Sequence, residues 1–227
     1  FIDSHVHLVE IGYCANAIPL ESCKSPASLV LTVAKYIEHM VDDSLIIGTG
    51  FSFKDYNEWT LKWLRELDDA TRMHRFMAID NLGHNMIVNT YAMDDTGIID
   101  MKDNPVGGQI DREDGMPTGM LRESAMALAG TPLFSQVDDN TIYEGAKALF
   151  NQWASMGYTS IVDLMGGPAG RMLKPEICKK MEEKNELPVR VNFMYTFFTL
   201  DEMDGASKYK SYNDGMVRFG GLKLFVD

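Results

Sequence analysis

Residues 140–164 read NTIYEGAKALFNQWASMGYTSIVDL, and this stretch sets the architecture. Ile142, Ala146, Leu149, Phe150 and Trp153 recur at helical spacing, which predicts a helix from about Asn140 to Met156 with one apolar face. Gly157 stops it, because a residue without Cβ takes the left-handed turn that closes a helix. Thr159 to Leu164 follows at once as a strand, rich in β-branched and apolar residues. Downstream the pattern repeats. A helix near Pro175–Lys184 precedes a strand over Val189–Phe198, and a short helix near Asp201–Lys208 precedes a strand over Val217–Val226. Strands alternating with helices imply right-handed βαβ units and a parallel sheet. Such a sheet is buried on both faces, which suits the run Ile161-Val162.

Upstream the signals are less regular. Ser25-Pro26 opens a helix, with Ser as N-cap and Leu29, Val30, Val33, Ala34, Ile37 and Met40 on one face. Leu45–Ile47 is a short apolar strand ending at Gly48 and Gly50, and Thr60–Asp69 a helix burying Trp63, Leu64 and Leu67. Arg75–Ile79 reads as a strand, and Met86–Asp95 as a helix stopping at Gly97. Residues 104–120 are rich in Gly and Pro, and Asp114-Gly115 is a hairpin turn, so a β-hairpin excursion is expected there. A helix should follow from about Arg122 to Ala129. No internal repeat or low-complexity segment interrupts the chain.

The composition excludes several classes. With 227 residues, 45% of them hydrophobic, the chain is long enough for a packed core. Its net charge of -12 disfavours nucleic acid and anionic membranes as partners. No apolar stretch approaches the roughly 20 residues of a membrane span. Cys14, Cys23 and Cys178 lack metal-ligand spacing and read as reduced thiols of a cytoplasmic protein; the alternative is a Cys14–Cys23 pair in an exported one.

Two segments carry chemistry. In Ile2-Asp3-Ser4-His5-Val6-His7-Leu8, strand geometry sends His5 and His7 to one face, where two imidazoles can meet one metal ion. The same pattern fits two surface histidines flanking Val6. In Gly220-Gly221-Leu222-Lys223-Leu224-Phe225-Val226-Asp227, a lysine interrupts an apolar strand. Lys223 either reaches solvent at the strand's edge or faces inward, carboxylated to a carbamate that can bridge metal ions. Asp227 shares its parity. His39 and His74 have no supporting context and read as structural.

The motifs resemble a known family. Phe1-Ile2-Asp3-Ser4-His5-Val6-His7-Leu8 resembles the opening motif of the amidohydrolase superfamily, in which H-x-H on the first barrel strand holds a metal ion. Asn81-Leu82-Gly83-His84-Asn85 with Val88-Asn89 is similar to the D-G-H-x-x-x-x-N segment of amidohydrolase family 3, the group that includes N-substituted formamide deformylases. Gly107-Gly108-Gln109-Ile110, Asp114-Gly115 and Pro117-Thr118-Gly119-Met120-Leu121-Arg122-Glu123 match its G-G-x-I, D-G and P-T-G-x-L-x-E series. Gly157 to Asp163 matches G-x-T-S-x-x-D, and Gly221 to Asp227 its lysine strand. Leu82 departs from the pattern, which usually carries Asp there.

The resemblance implies an α/β chain: the first half or slightly more of a TIM-like (β/α)8 metallo-dependent hydrolase barrel, with an α+β insertion around residues 51–130. It makes His5 and His7 metal ligands and Lys223 a carboxylated one, around one or two divalent ions, zinc foremost. His84 would lie near the substrate and Glu123 in the cleft. The alternatives are a helix-start histidine bonded to backbone and a first-turn carboxylate stabilising a helix dipole. The implied reaction is hydrolysis of a carbon–nitrogen bond in a small amide, formamide or cyclic amide. The family's further metal-binding histidines, general-base aspartate and β-sandwich are expected outside this stretch. The chain alone is thus expected to be an inactive, truncated piece whose open sheet edges drive self-association into homo-oligomers. Two other readings remain: a non-catalytic binding protein on the same scaffold, and a cyclic-amidohydrolase or deaminase branch, against which the middle motifs speak.

Overall fold

The computed structural model describes residues 1–8, 17–38, 45–52, 54, 59–166, 174–197 and 200–224. Cys14, His39 and Asp227 lie outside the described residues, and with them the Cys14–Cys23 alternative, the role expected of His39 and the face shared by Lys223 and Asp227. The chain forms two compact units, one of Phe1–Asn16 with Val137–Asp227 and the other of Ala17–Gln136.

Strand β1 (Ile2–Val6) begins the first unit, and the chain then enters the second. There it forms β2 (Ile18–Pro19), α1 (Pro26–Ile37), β3 (Leu45–Phe51), α2 (Leu61–Thr71), β4 (Arg75–Asp80), β5 (Asn85–Val88), α3 (Thr90–Asp95), β6 (Gly108–Glu113), β7 (Met116–Glu123) and α4 (Met126–Phe134). Back in the first unit come α5 (Asp139–Ser155), β8 (Ser160–Gly166), α6 (Pro175–Glu183), β9 (Arg190–Thr196), α7 (Leu200–Met203) and β10 (Val217–Lys223).

In the first unit the strand order is β1-β8-β9-β10, and every pairing is parallel. Asp138 caps α5 by accepting from the amides of Asn140 and Thr141, both at 3.0 Å. Gly157 follows at φ +88°, the left-handed exit expected of it. Ile142, Ala146 and Phe150 of α5 join Ile177 and Met181 of α6 and Val191 and Phe193 of β9 in one buried cluster. Each large apolar side chain so buried contributes roughly 1.5–3 kcal/mol. The fold is therefore α/β with a parallel sheet, the arrangement of a partial TIM-like barrel.

The second unit has its own six-stranded mixed sheet, in the order β2-β3-β4-β5-β7-β6. The strands over Leu45–Phe51 and Arg75–Asp80 thus belong here, and the unit begins at Ala17, well before the insertion start expected near residue 51. The reason is packing: Leu29, Val33 and Ile37 of α1 share a core with Ile46, Leu67 and Phe76. Two expectations are corrected. Met86–Val88 is strand, paired to β4 on one side and β7 on the other, and the helix starts only after Asn89 caps it. Arg122 and Glu123 end β7, and the helix waits until Met126. The hairpin at Asp114-Gly115 forms as read, with φ of 51° and 82°, the pair of positive values a two-residue turn demands. Among the described residues, no helix is long and apolar enough to cross a membrane.

Candidate functional site

Because β1, β8, β9 and β10 run parallel, their C-terminal ends share one sheet edge, where open parallel sheets and barrels build their sites. His5 and His7 come at that end of β1, and Lys223 is the last residue of β10, in register with Thr196 of β9. The β1–β8 register slips between Asp3 and Val6, and the His5 amide donates to Asp3 Oδ1 at 3.1 Å. The two imidazole centroids stand 5.2 Å apart, tilted by 38°. Both residues are exposed.

Partial burial, then the charges of His5 and Lys223, hold the His7 imidazole below its ordinary pKa. At neutral pH His7 is thereby kept uncharged, the form that ligates a metal. A lysine ammonium has no lone pair to give, so as it stands the set holds two metal donors. Among the described residues, no group of three or more His, Cys, Asp or Glu forms a metal site.

Asp163 of β8 supplies what sequence reading did not assign. It is 3% exposed, and its Oδ1 accepts from the amide of Leu8, itself buried, at 3.0 Å. The peptide just after His7 is thus tied to the neighbouring strand. The signals in the sequence are a carboxylate inside an apolar run and its place at the end of the G-x-T-S-x-x-D match.

His84 and Glu123 belong to the other unit. Asp80, 4% exposed, accepts from the amides of His84 (2.8 Å) and Asn85 (3.0 Å) and from Asn85 Nδ2 (2.9 Å). That closes a turn through Gly83 at φ +74°, with Leu82 exposed on it. At the other side of the ladder the Glu123 amide donates to the His84 carbonyl at 3.0 Å, and the Glu123 carboxylate meets His84 Nδ1 at 3.0 Å. The hydrogen bond to Glu123 and its charge raise the His84 pKa, against a small opposing effect of burial. Glu123 is therefore no first-turn carboxylate of a helix: it closes a strand, at φ +50°. A polar pocket of about 570 Å³ is lined by Asn85, Gly107, Gly108, Gln109, Arg122 and Glu123. Arg122 is held there by Asp111, with Nε at 2.9 Å from Oδ1.

The family model described as "Amidohydrolase family" matches residues 1–227. The chain belongs to the amidohydrolase family. Among its relatives, N-substituted formamide deformylase of Arthrobacter pascens is 23% identical, over 100% of this chain and 43% of that protein. The protein LONG AFTER FAR-RED 3 of Arabidopsis thaliana is 29% identical over 72% of this chain and 28% of its own length. The chain thus spans less than half the length of these relatives. An uncharacterized metal-dependent hydrolase from Pyrococcus horikoshii OT3 superposes with a TM-score of 0.68 at 18% identity, covering 100% of this chain and 42% of that one. The amidohydrolase chain therefore shares the fold of that structure.

Proposed function

We propose that this amidohydrolase works within a metal-dependent hydrolase of carbon–nitrogen bonds in small non-peptide amides, formamides foremost. His5 and His7 are its metal ligands, and Lys223 joins them once its ammonium has lost a proton, Nζ has bonded carbon dioxide and the adduct has released a second proton. The resulting carbamate replaces a cation by an anion and supplies the third donor. The observation that supports the reading is geometric: the His5 and His7 rings stand 5.2 Å apart at the C-terminal end of β1, and Lys223 ends β10 of the same parallel sheet. A divalent ion, zinc in our reading, supplies Lewis acidity toward a carbonyl and draws the pKa of water toward about 7. This chain would offer it the imidazoles of His5 and His7, and Asp163 fixes the backbone behind His7. His84 and Glu123 serve the substrate side. The buried thiol of Cys178 fits a reducing, cytoplasmic setting.

Zinc titration by calorimetry, with and without bicarbonate, tests the centre. His7→Ala should weaken zinc binding by at least about tenfold, and Lys223→Ala should abolish any gain from bicarbonate. Equal zinc binding by wild type and a His5→Ala/His7→Ala double variant would sink the reading. A second reading is a non-catalytic binding protein on the same scaffold: among the described residues no three His, Cys, Asp or Glu are grouped to hold a metal, and that same null titration would support it.

A further inference from the structure

Residues 84 and 123 are joined twice. The backbone link from the Glu123 amide to the His84 carbonyl extends the β5–β7 ladder by one step past the Asn85–Arg122 pair. The side-chain link then runs from the carboxylate to Nδ1, with the two oxygens at 3.1 and 3.0 Å. Asp80 fixes the His84 amide from the other side. Glu123 sits at φ +50°, a conformation that a β-carbon makes costly and a glycine would take freely. Both side chains are about 60% exposed, so the ion pair itself adds little to stability. A carboxylate kept at a glycine-like position, with little gain in stability from its ion pair, points to a use for what it touches.

We propose that Glu123 is a positioning residue for His84: it holds the imidazole through Nδ1 and leaves Nε2 as the atom offered to a substrate. A carboxylate at Nδ1 selects the Nδ1–H tautomer of the neutral ring and stabilises the imidazolium. The same carboxylate stabilises either state of His84 as a partner, a charged donor at low pH or an oriented acceptor at higher pH. The proposal rests on the substrate-side role given to His84 above, whereas the coupling to Glu123 stands on the geometry of its own unit.

Nitrogen-15 NMR of the full chain reads this directly. In wild type the neutral ring should carry its proton on Nδ1, with a titration midpoint above that of a free imidazole. In Glu123→Gln and Glu123→Gly the midpoint should fall and the Nε2–H tautomer should grow. The glycine variant relieves the backbone and should melt no lower than wild type, which separates positioning from folding. In the whole hydrolase that contains this chain, turnover of a formamide should lose about tenfold in kcat in both variants with KM little changed. An unaltered tautomer and midpoint in both variants overturns the proposal. If the NMR changes appear but His84→Ala turns over a formamide like wild type, the substrate-side role of His84 is wrong and the Glu123 coupling remains.

Discussion

Leu8 shows how much a single buried amide can govern. Its N–H has no water to turn to, and Asp163 is the acceptor it reaches. Asp163→Ala should therefore cost about 2 kcal/mol in urea denaturation, the usual penalty for stranding a buried donor. It should also broaden the His7 resonances while leaving those of His84 unchanged. A loss under about 0.5 kcal/mol would mean that the amide finds another partner. At this scale the sequence is informative in one direction only. His5, His7 and Lys223 stand out because they break an apolar strand pattern within a few residues of themselves. Asp163 breaks its apolar run in the same way, but no side-chain pattern announces that it and Asp80 hold backbone amides.

Among the elements, the turn from β5 into α3 depends on Asn89. That side chain is fully buried, and its amide is saturated. Oδ1 accepts from the amides of Phe76 and Ala92, each at 3.0 Å, and Nδ2 donates to Thr71 Oγ1 and the His74 carbonyl, each at 2.8 Å. Asn89→Ala removes an N-cap and strands several buried groups, so the second unit should lose about 3 kcal/mol, read from its denaturation midpoint. A change within 1 kcal/mol would count against this cap being the organiser of the turn. The elements from Asn140 onward were legible because helix and strand periods alternate cleanly. Met86-Ile87-Val88 was not: three apolar residues satisfy either period, and only pairing with β4 and β7 decides for strand. Nor does periodicity say which strands share a sheet, so β3, ahead of the insertion expected from residue 51, reads like a barrel strand although it belongs to a different sheet.

For the molecule as a whole, acid is the informative perturbation. In the first unit Glu186 accepts from Lys147 Nζ at 2.6 Å and from the Tyr143 hydroxyl, and these hold its carboxyl below the ordinary value of 4.5 against burial. Burial, and then Glu186, push Tyr143 up to about 12. A depressed carboxylate stabilises the fold fully above its unfolded pKa. That contribution fades once the pH drops below about 4.5 and is gone beneath the lower folded value. Glu176 and Glu182 are shifted down too, despite burial, by Lys208 and Tyr209 and by Lys179 and the Met216 amide. Melting temperature should thus decline between pH 5 and 3, and Glu186→Gln should flatten that decline. An identical slope in the variant would remove Glu186 from the account.

The pairing of Ile2 with Ser160 also has a meaning in time. A ribosome adds about 5–20 residues per second, so the strand bearing His5 and His7 is made roughly 10–30 seconds before its partner β8 exists. Residues 17–136, with a sheet of their own, emerge in that interval and can settle first. The two histidines become a fixed pair only when β8, made after the whole of residues 17–136, arrives beside their strand.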